Sequence, residues 1–356
     1  MTSKQIFKGK RILVTGGTGS LGKVLVSRIL QNDLGEPDKV IVFSRDEAKQ
    51  HYMRLDFQQK FASTEEIIFS DYERKLEFRI GDIRDYNRVV SVLRDIDIVF
   101  NAAAMKQVPN CEYFPYEAVM TNILGAENLV RAIGQHNFPV HMVLGISTDK
   151  ACKPVNVMGM TKALQERIFI QANMRCPHIH YACVRYGNVL ASRGSVVPLF
   201  HEQIRKGGPI TITDPGMTRF LLSLEDAVDT VFVAAQNSAP GEIFVPNIPS
   251  ALMTNVAKAM IQDRSIEMLF TGVRPGEKLH EIMVSEEEAP RTKLRGKWYA
   301  IQPMLPELAA ISSDPSALKN QFSSEDCVMN YEDTVALLDR NGILSYNNEL
   351  NSLRGE

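Results

Sequence analysis

The stretch RILVTGGTGSLG at residues 11–22 decides the expected fold. Its apolar start is typical of a buried strand, and the residues after Gly22 continue with apolar side chains at helical spacing. Gly16 and Gly19 allow a tight turn and a close backbone approach, and Gly22 allows the helix to pack on the strand. Strand, glycine-rich turn and helix in this order predict a dinucleotide-binding site whose pyrophosphate lies at the helix N-terminus. The predicted contacts are Thr15, Gly16, Thr18, Gly19, Ser20, Leu21 and Gly22.

Further apolar runs alternate with helical patterns along the chain. The strand-like runs are KVIVFS, LEFRI, DIDIVFN, VHMVLGI and IHYACV, and the helix-like stretches include YNRVVSVL and NILGAENLVRAI. This alternation predicts an α/β fold with a doubly wound parallel sheet of the Rossmann type. From Gly187 the composition changes to loops rich in Gly, Pro, Ser and Thr, which predicts a smaller α/β substrate-binding lobe over the carboxyl edge of the sheet.

The expected division is a cofactor-binding Rossmann domain at 1–186, a substrate-binding lobe at 187–290 that exchanges elements with it, and a C-terminal extension at 291–356. The 356 residues include 44% hydrophobic and 23% charged residues, and the formal net charge is −2. This balance is typical of a globular protein and lacks the basic excess that binds nucleic acid. Five scattered cysteines have no metal-ligand spacing, so no metal site is expected. No apolar run is long enough for membrane insertion, which makes the cytoplasm the expected location.

The end of the second predicted strand bears on the choice of cofactor. Proteins that bind NAD usually carry an acidic residue here, whereas this chain has Ser44 and Arg45 before Asp46. A guanidinium pairs with a 2′-phosphate, so NADP+ is favoured. The alternative is that Arg45 is a solvated turn residue and Asp46 binds the ribose. The later positions expected along the cofactor are Asp82, Ile83, Ala102, Ala103 and Ala104.

Several motifs in one order resemble a known family. TGGTGSLG, FSRDE, GDIRD, NAAAMKQVP, TNILGAENL, STDKA, RYGNVLASRGSVVP, TRF and GVRPGEKLHE together resemble the bacterial UDP-N-acetylglucosamine 4,6-dehydratases, which are extended short-chain dehydrogenases of surface-glycan synthesis. The resemblance covers roughly residues 8–285. It implies tightly bound NADP+, oxidation of the sugar at C4, loss of water across C5 and C6, and reduction at C6. The implied product is a UDP-4-keto-6-deoxy-hexosamine with C5 retained or inverted.

The resemblance also implies catalytic roles. Asp149 is the expected acid for the C6 hydroxyl and Lys150 the expected base for the C5 proton, both directly after the strand MVLGI. The usual catalytic tyrosine is replaced by Met158, a thioether that cannot take a proton, while Lys162 remains four residues later to hold the nicotinamide ribose. The base for the C4 hydroxyl therefore stays open between Thr148, a water ordered by Lys162, and Lys150.

On the substrate side, the resemblance places the nucleotide sugar along the stretch that includes Asn188 and Ser195. Arg219 and Arg274 are expected to bind the diphosphate because a guanidinium fork matches phosphate oxygens, and Glu277 is expected at the uridine ribose. Asn122 is expected to position a water or backbone group beside the cofactor, or to bond only to its own surroundings. The substrate-contact residues expected in full are Lys106, Asn188, Arg193, Ser195, Val196, Arg219, Arg274 and Glu277.

Two other functions fit the same fold. One is another nucleotide-sugar epimerase or keto-sugar reductase, which would need a tyrosine base and no acid for C6. The other is a non-catalytic NADP-binding regulatory protein, supported only by Met158. The resemblance implies a homo-oligomer, and apolar helical patterns such as AVMTNILGAENLVRAI fit either the dimer face usual in the resembled family or a helix packed in the core.

Overall fold

A nine-stranded sheet forms the centre of the computed structural model, which describes residues 5–62, 74–190, 195–308 and 315–344. The strands are β1 (Arg11–Thr15), β2 (Lys39–Ser44), β3 (Leu76–Ile80), β4 (Ile98–Asn101), β5 (Met142–Ile146), β6 (His180–Val184), β7 (Asn188–Val189), β8 (Ile210–Ile212), β9 (Thr218–Leu222), β10 (Ile243–Pro246), β11 (Ser250–Leu252), β12 (Met268–Phe270), β13 (Ile282–Val284), β14 (Thr292–Arg295), β15 (Trp298–Ile301) and β16 (Phe322–Ser323). The order across this sheet is β14-β15-β10-β6-β5-β4-β1-β2-β3.

The helices connect these strands on both faces of the sheet. They are α1 (Ser20–Leu30), α2 (Glu47–Ala62), α3 (Tyr86–Leu93), α4 (Val108–Tyr113), α5 (Pro115–Ala118), α6 (Gly125–Gln135), α7 (Val157–Arg175), α8 (Val196–Arg205), α9 (Leu224–Asn237), α10 (Met253–Ile261) and α11 (Tyr331–Arg340). A π-helical turn at Val119–Leu124 leads into α6. The predicted α/β doubly wound fold is confirmed.

Parallel pairing runs from β3 to β10, and the strand order reverses between β1 and β4. Ligands of doubly wound sheets bind outside the carboxyl ends of the strands at such a switch point. The turns after β1, β4 and β5 meet there, so the topology alone brings the glycine-rich turn and the Asp149–Lys150 turn to one edge.

The side chains of the central strands alternate between two cores. In β1, Ile12 and Val14 pack into one core with α1 and α9, and Leu13 packs into the other with α3, α6 and α7. This period-two alternation covers both faces of a parallel sheet with helices. Because both faces are apolar, polar side chains of the strands reach a ligand only where a strand ends.

A smaller lobe has its own core of apolar side chains from β8, β9, α8, α10 and α11. It contains a three-stranded sheet of order β11-β9-β7 and the strand pair β8 and β12. Strand β10, from the expected lobe, and strands β14 and β15, from the expected C-terminal extension, lie in the main sheet. The chain therefore crosses between the main sheet and the lobe more than once after residue 187.

A buried arginine joins three separate parts of the chain. Arg185, which follows β6, donates to Glu166 of α7 at 2.7 Å, to Glu288 at 2.9 Å and to the carbonyl of Met283 in β13 at 2.6 Å. Burial would raise the pKa of Glu288, but the charge and hydrogen bonds of Arg185, together with the Ser285 N–H and the Arg291 charge, outweigh burial and lower the pKa to about 2. Glu288 is therefore held ionised beside the Arg185 guanidinium.

We expect Arg185→Met to lower the free energy of unfolding by about 3–5 kcal/mol, because two buried carboxylates would lose their counter-ion. The matched control is Arg175→Met, which removes an arginine paired with Glu127 at 2.9 Å at the surface. Exposed pairs contribute under about 1 kcal/mol. Urea denaturation of both variants measures the difference, and equal losses would contradict the assigned role of Arg185.

Candidate active site

The glycine-rich turn has the shape needed for a dinucleotide pyrophosphate. Gly16 has a φ of +64°, and a Cβ there would lie 2.7 Å from Ala103 Cα, so a side chain would push apart the turns after β1 and β4. Gly19 is the N-cap residue of α1 and has no side chain to cap the helix. The backbone N–H groups at this helix start and the helix dipole suit a phosphate anion. The residues present thus fit a nicotinamide dinucleotide.

The residues after β2 differ in their availability to a ligand. The side chain of Arg45 is 59% exposed and lies 3.6 Å from Asp82. Asp46 accepts from the backbone N–H of Lys49 at 3.0 Å at the start of α2, so this carboxylate is engaged in the helix start. Ser44 accepts from the amide of Gln50 at 3.1 Å. Arg45 is therefore the more exposed of the two candidate side chains, while Asp46 is engaged at the helix start.

The remaining predicted cofactor positions lie around the same edge. Thr15 is buried and donates to Asn101 at 2.7 Å while accepting from the backbone of Ala103 at 3.2 Å. Ile83 packs in the core, where a Cβ on Gly125 would come within 2.8 Å of its side chain. Any contact of Ile83 with a ligand would therefore have to come from its backbone. Ala104 and Lys106 are exposed in the loop after β4.

The turn after β5 carries the predicted catalytic residues. Thr148 caps a short 3-10 turn at Asp149–Ala151, and its hydroxyl donates to Asp149 Oδ1 at 2.9 Å. Helix α7 packs directly against this turn, because a Cβ on Gly159 would lie only 2.2 Å from the carbonyl oxygen of Lys150. Only a glycine at 159 lets the helix hold the turn so closely.

Lys150 lies between two buried carboxylates. Its Nζ is 3.1 Å from Asp149 Oδ1 and 3.1 Å from Glu281 Oε1. Arg219 Nε is 3.9 Å from Glu281 Oε1. We call Asp149, Lys150, Glu281 and Arg219 the Lys150 cluster. Glu281 belongs to the motif GVRPGEKLHE but was not singled out from the sequence, because nothing in the motif shows that its last residue folds back onto the β5 turn.

Burial and neighbouring charges shift the pKa values of the two carboxyl groups in the Lys150 cluster in opposite directions. Burial raises the pKa of Asp149, and the neighbouring Lys150 ammonium offsets this only in part. Burial would also raise the pKa of Glu281, but the charges of Lys150, Arg219 and Lys278 outweigh it and lower the pKa. Burial would lower the pKa of Lys150, yet its two carboxylates raise it. Glu281 is thus held ionised, while Asp149 accepts a proton more readily.

The helix that usually carries a catalytic tyrosine has an apolar side chain instead. Met158 is buried in a small cluster with Cys111 and Ala118. Lys162 donates to Gln165 at 2.6 Å and to the carbonyl of Ile146, and burial lowers its pKa to about 8. Without a rearrangement, the Lys162 ammonium is directed at the end of β5 rather than at a ligand.

Asn122, in the π-helical turn, connects α7 to the loop after β4. Its amide accepts from the backbone N–H of Met105 at 2.8 Å and donates to Thr161 of α7 at 2.9 Å. These bonds hold the loop after β4 against the π-helical turn and α7, and they are compatible with both expected roles of Asn122.

A cavity of about 560 Å³ opens beside the Lys150 cluster. Six of the predicted substrate residues line it, and they are Asn188, Ser195, Val196, Arg219, Arg274 and Glu277. Arg193 lies outside the described residues, and Lys106 is not part of this lining. The volume is of the size that small-molecule sites usually have.

The two arginines of this cavity are held differently. Arg219 is buried and donates to the carbonyls of Thr218, Lys278 and Leu279 at 2.8–2.9 Å. Its guanidinium also lies 3.6 Å from Glu277, so it connects the cavity with the Lys150 cluster. Arg274 lies exposed at the cavity rim. Since backbone carbonyls occupy most donors of Arg219, Arg274 has more donors available for an anionic ligand.

Buried polar atoms without a hydrogen-bond partner gather at this site. Among the described residues they include Asp149 Oδ2, Glu281 Oε2, Glu277 Oε2, Asn188 Oδ1 and Ser195 Oγ. Native proteins rarely leave buried polar atoms unpaired, so these atoms are suited to hydrogen bonds with a bound ligand or with water. Two of these atoms belong to the Lys150 cluster and three line the cavity.

Comparison with known proteins places the chain in a family. The family model described as polysaccharide biosynthesis protein matches residues 12–303. The chain belongs to this family. A relative from Rickettsia bellii, named UDP-glucose 4-epimerase, is 45% identical over 301 residues, which cover 83% of this chain and 84% of the relative.

Solved structures share the architecture. The structure of Pen from Bacillus thuringiensis superposes with a TM-score of 0.84 at 32% identity and covers 95% of this chain and 99% of Pen. DesIV from Streptomyces venezuelae, described as a dTDP-glucose 4,6-dehydratase with NAD and TYD bound, has a TM-score of 0.62 at 20% identity over 76% of this chain and 86% of DesIV. The second likeness supports the Rossmann fold alone. In the described part of the chain, no helix is long and apolar enough to cross a bilayer.

We expect Gly159→Ala to lower the melting temperature, because the new Cβ must displace the Lys150 carbonyl or the start of α7, at about 1–3 kcal/mol. The matched control is Gly134→Ala in α6, where a Cβ would lie 3.1 Å from Cys176 Sγ and less must move. Alanine also has the better helix propensity there. Thermal unfolding compares the two, and an unchanged Gly159→Ala variant would contradict the close packing.

Proposed function

We propose that the protein is a nucleotide-sugar 4,6-dehydratase that converts UDP-N-acetylglucosamine to a UDP-4-keto-6-deoxy-hexosamine for surface-glycan synthesis. The observation that carries the proposal is the Lys150 cluster, which contains a buried carboxyl of raised pKa and shares Arg219 with a cavity lined by unpaired polar groups. An acid for the C6 hydroxyl is what a dehydratase needs and an epimerase does not. Membership of the polysaccharide biosynthesis family supports the role in glycan synthesis.

The cavity provides groups suited to a uridine diphosphate. The exposed guanidinium of Arg274 can form paired hydrogen bonds with diphosphate oxygens. Glu277 Oε2 and Asn188 Oδ1 are buried acceptors without partners, which suits ribose or sugar hydroxyls. Arg219 lies between this cavity and Glu281, so a diphosphate bound at the rim leaves the sugar directed toward the Lys150 cluster.

Thr148 and Asp149 are the groups we assign to the proton of the C4 hydroxyl. The Thr148 hydroxyl already donates to Asp149 Oδ1, so it can pass a proton from the sugar to that carboxylate. Met158 is buried among apolar side chains, and Lys162 is bonded to Ile146 and Gln165. The proton stored on Asp149 then goes to the C6 hydroxyl as water leaves. A carboxyl of raised pKa suits both steps.

A bound nicotinamide dinucleotide supplies the oxidation at C4 and the reduction at C6. The glycine-rich turn holds its pyrophosphate, and Arg45 is the residue we assign to a 2′-phosphate, which makes NADP+ the proposed cofactor. Removal of the C5 proton, acidified by the C4 ketone, falls to the Lys150 cluster.

A second candidate is a UDP-glucose 4-epimerase, because relatives that are 44–45% identical carry that name. Such an enzyme oxidises and reduces the same C4 atom and leaves C5 and C6 unchanged. It needs neither the acid Asp149 nor a group for the C5 proton. The two reactions therefore differ in products that one experiment distinguishes.

Incubation of the purified protein with UDP-N-acetylglucosamine in heavy water is expected to give a C6 methyl signal and deuterium at C5 in the proton NMR spectrum. Asp149→Asn is expected to lower turnover by about 10²–10⁴-fold, because the amide cannot pass on the C4 proton. The exposed Asp263→Asn serves as the control and should keep full turnover. A change at C4 with C5 and C6 intact would support the epimerase instead.

Arg45→Ala is expected to weaken NADP+ binding by about 10–100-fold, since a hydrogen bond between charged groups contributes about 1.5–3 kcal/mol. NAD+ lacks the 2′-phosphate, so its affinity for the same variant should stay unchanged and acts as the internal control. Calorimetric titration of both cofactors measures the two effects. Equal losses for NADP+ and NAD+ would contradict the role of Arg45.

A further inference from the structure

The charge state of Lys150 conflicts with its expected role as a base. An amine accepts a proton only when it is neutral, yet Lys150 Nζ lies 3.1 Å from Asp149 Oδ1 and 3.1 Å from Glu281 Oε1. Both carboxylate side chains are at least 97% buried, so solvent screens these attractions little. Two close carboxylates stabilise the ammonium form.

Glu281 has the properties that Lys150 lacks. Its backbone is fixed on both sides by Ser324, which accepts from the Glu281 N–H at 2.9 Å and donates its own N–H to the Glu281 carbonyl at 2.8 Å. Its Oε1 faces Lys150 and Arg219, while its Oε2 is buried and has no hydrogen-bond partner. An ionised carboxylate with one unpaired oxygen has a lone pair ready for a proton.

We propose that Glu281 is the base that removes the C5 proton, and that Lys150 acts as a fixed cation between the two carboxylates. This rests on the dehydratase function proposed above. The C5–H bond breaks, its proton goes to Glu281, and its electron pair forms the enolate of the C4 ketone. Elimination then breaks the C6–O bond with the proton held by Asp149. After reduction at C6, Glu281 or water returns a proton to C5.

The surrounding charges support this division of roles. The pKa of Lys150 is raised by the charges of Asp149 and Glu281 and lowered by that of Arg219. The pKa of Glu281 is lowered by the charges of Lys150, Arg219 and Lys278. Lys278, whose pKa burial lowers, also donates to the carbonyl of Cys152 at 2.6 Å. The environments move the pKa of Asp149 up and that of Glu281 down. Such a separation is how enzymes assign an acid and a base to two carboxyl groups.

Two reciprocal variants test the assignment. Glu281→Gln keeps the shape and removes the basic oxygen, so deuterium entry at C5 of UDP-N-acetylglucosamine should fall by about 10²–10⁴-fold while C4 oxidation, seen as reduced cofactor at 340 nm, still occurs. Lys150→Arg keeps a positive charge that cannot be lost, because the pKa of arginine is above 12. It should therefore retain more C5 exchange than Glu281→Gln.

The pH profile of wild-type exchange provides a second measurement that a purely structural role would not change. If Glu281 is the base, exchange stays nearly constant between about pH 6 and 9, since a carboxylate with a lowered pKa is ionised throughout. If the Lys150 amine is the base, exchange rises about tenfold per pH unit over that range. Glu281→Asp, which keeps a carboxylate, should recover part of the exchange lost in Glu281→Gln.

The control is Glu286→Gln, which removes an exposed carboxylate five residues further along the chain and should leave exchange unchanged. Three results would overturn the assignment. They are exchange that survives in Glu281→Gln, exchange that is absent in Lys150→Arg, and wild-type exchange that rises tenfold per pH unit. A wild-type protein that gives a C4 epimer without C5 exchange overturns the proposed dehydratase instead. A Glu281→Gln variant that does not fold leaves the wild-type pH profile and Glu281→Asp as the deciding measurements.

Discussion

The buried ion pairs of Arg185 hold together the parts of the chain that form the site. Glu166 joins Arg185 to α7 and also accepts from Ser147, one residue before Thr148. On its other side, Arg185 binds the carbonyl of Met283, two residues after Glu281. The buried guanidinium of Arg185 therefore helps to position Asp149 and Glu281, the two carboxylates that pair with Lys150. Buried ion pairs of this kind stabilise a protein little, but removing one member is costly, which makes the arrangement specific.

The packing of α7 against the β5 turn adds a second constraint. Gly159 leaves no room for a side chain above the Lys150 carbonyl, and Asn156 caps the helix while donating to the carbonyl of Gly276 at 2.8 Å. The same helix end thus touches the turn after β5 and the loop that carries Arg274 and Glu277. One helix therefore supports both the Lys150 cluster and one wall of the neighbouring cavity.

Met158 stands at the position where the resembled family usually has a tyrosine. In place of a phenol, Met158 completes an apolar cluster with Cys111 and Ala118 under α4 and α5. In the proposed reaction, the turn after β5 and Glu281 carry the proton chemistry instead. Asp149 and Glu281 share one ammonium partner but differ in their remaining charges, since Arg219 and Lys278 lie beside Glu281. Two carboxyl groups near one cation can therefore serve as acid and base.

The sequence by itself determined the local features, namely the glycine-rich turn, the alternating strands and helices, Arg45 after β2, and the Thr148–Lys150 turn. These follow from short-range patterns, because periodicity and turn chemistry act over a few residues. Only the tertiary structure decided that β14 and β15 join the main sheet, that Arg219 binds backbone carbonyls, and that Glu281 lies against Lys150. The pair Glu281 and Lys150 is separated by 131 residues, and its contact depends on long-range packing through Arg185. Charge and burial, which set the protonation of the site, exist only once that packing has formed.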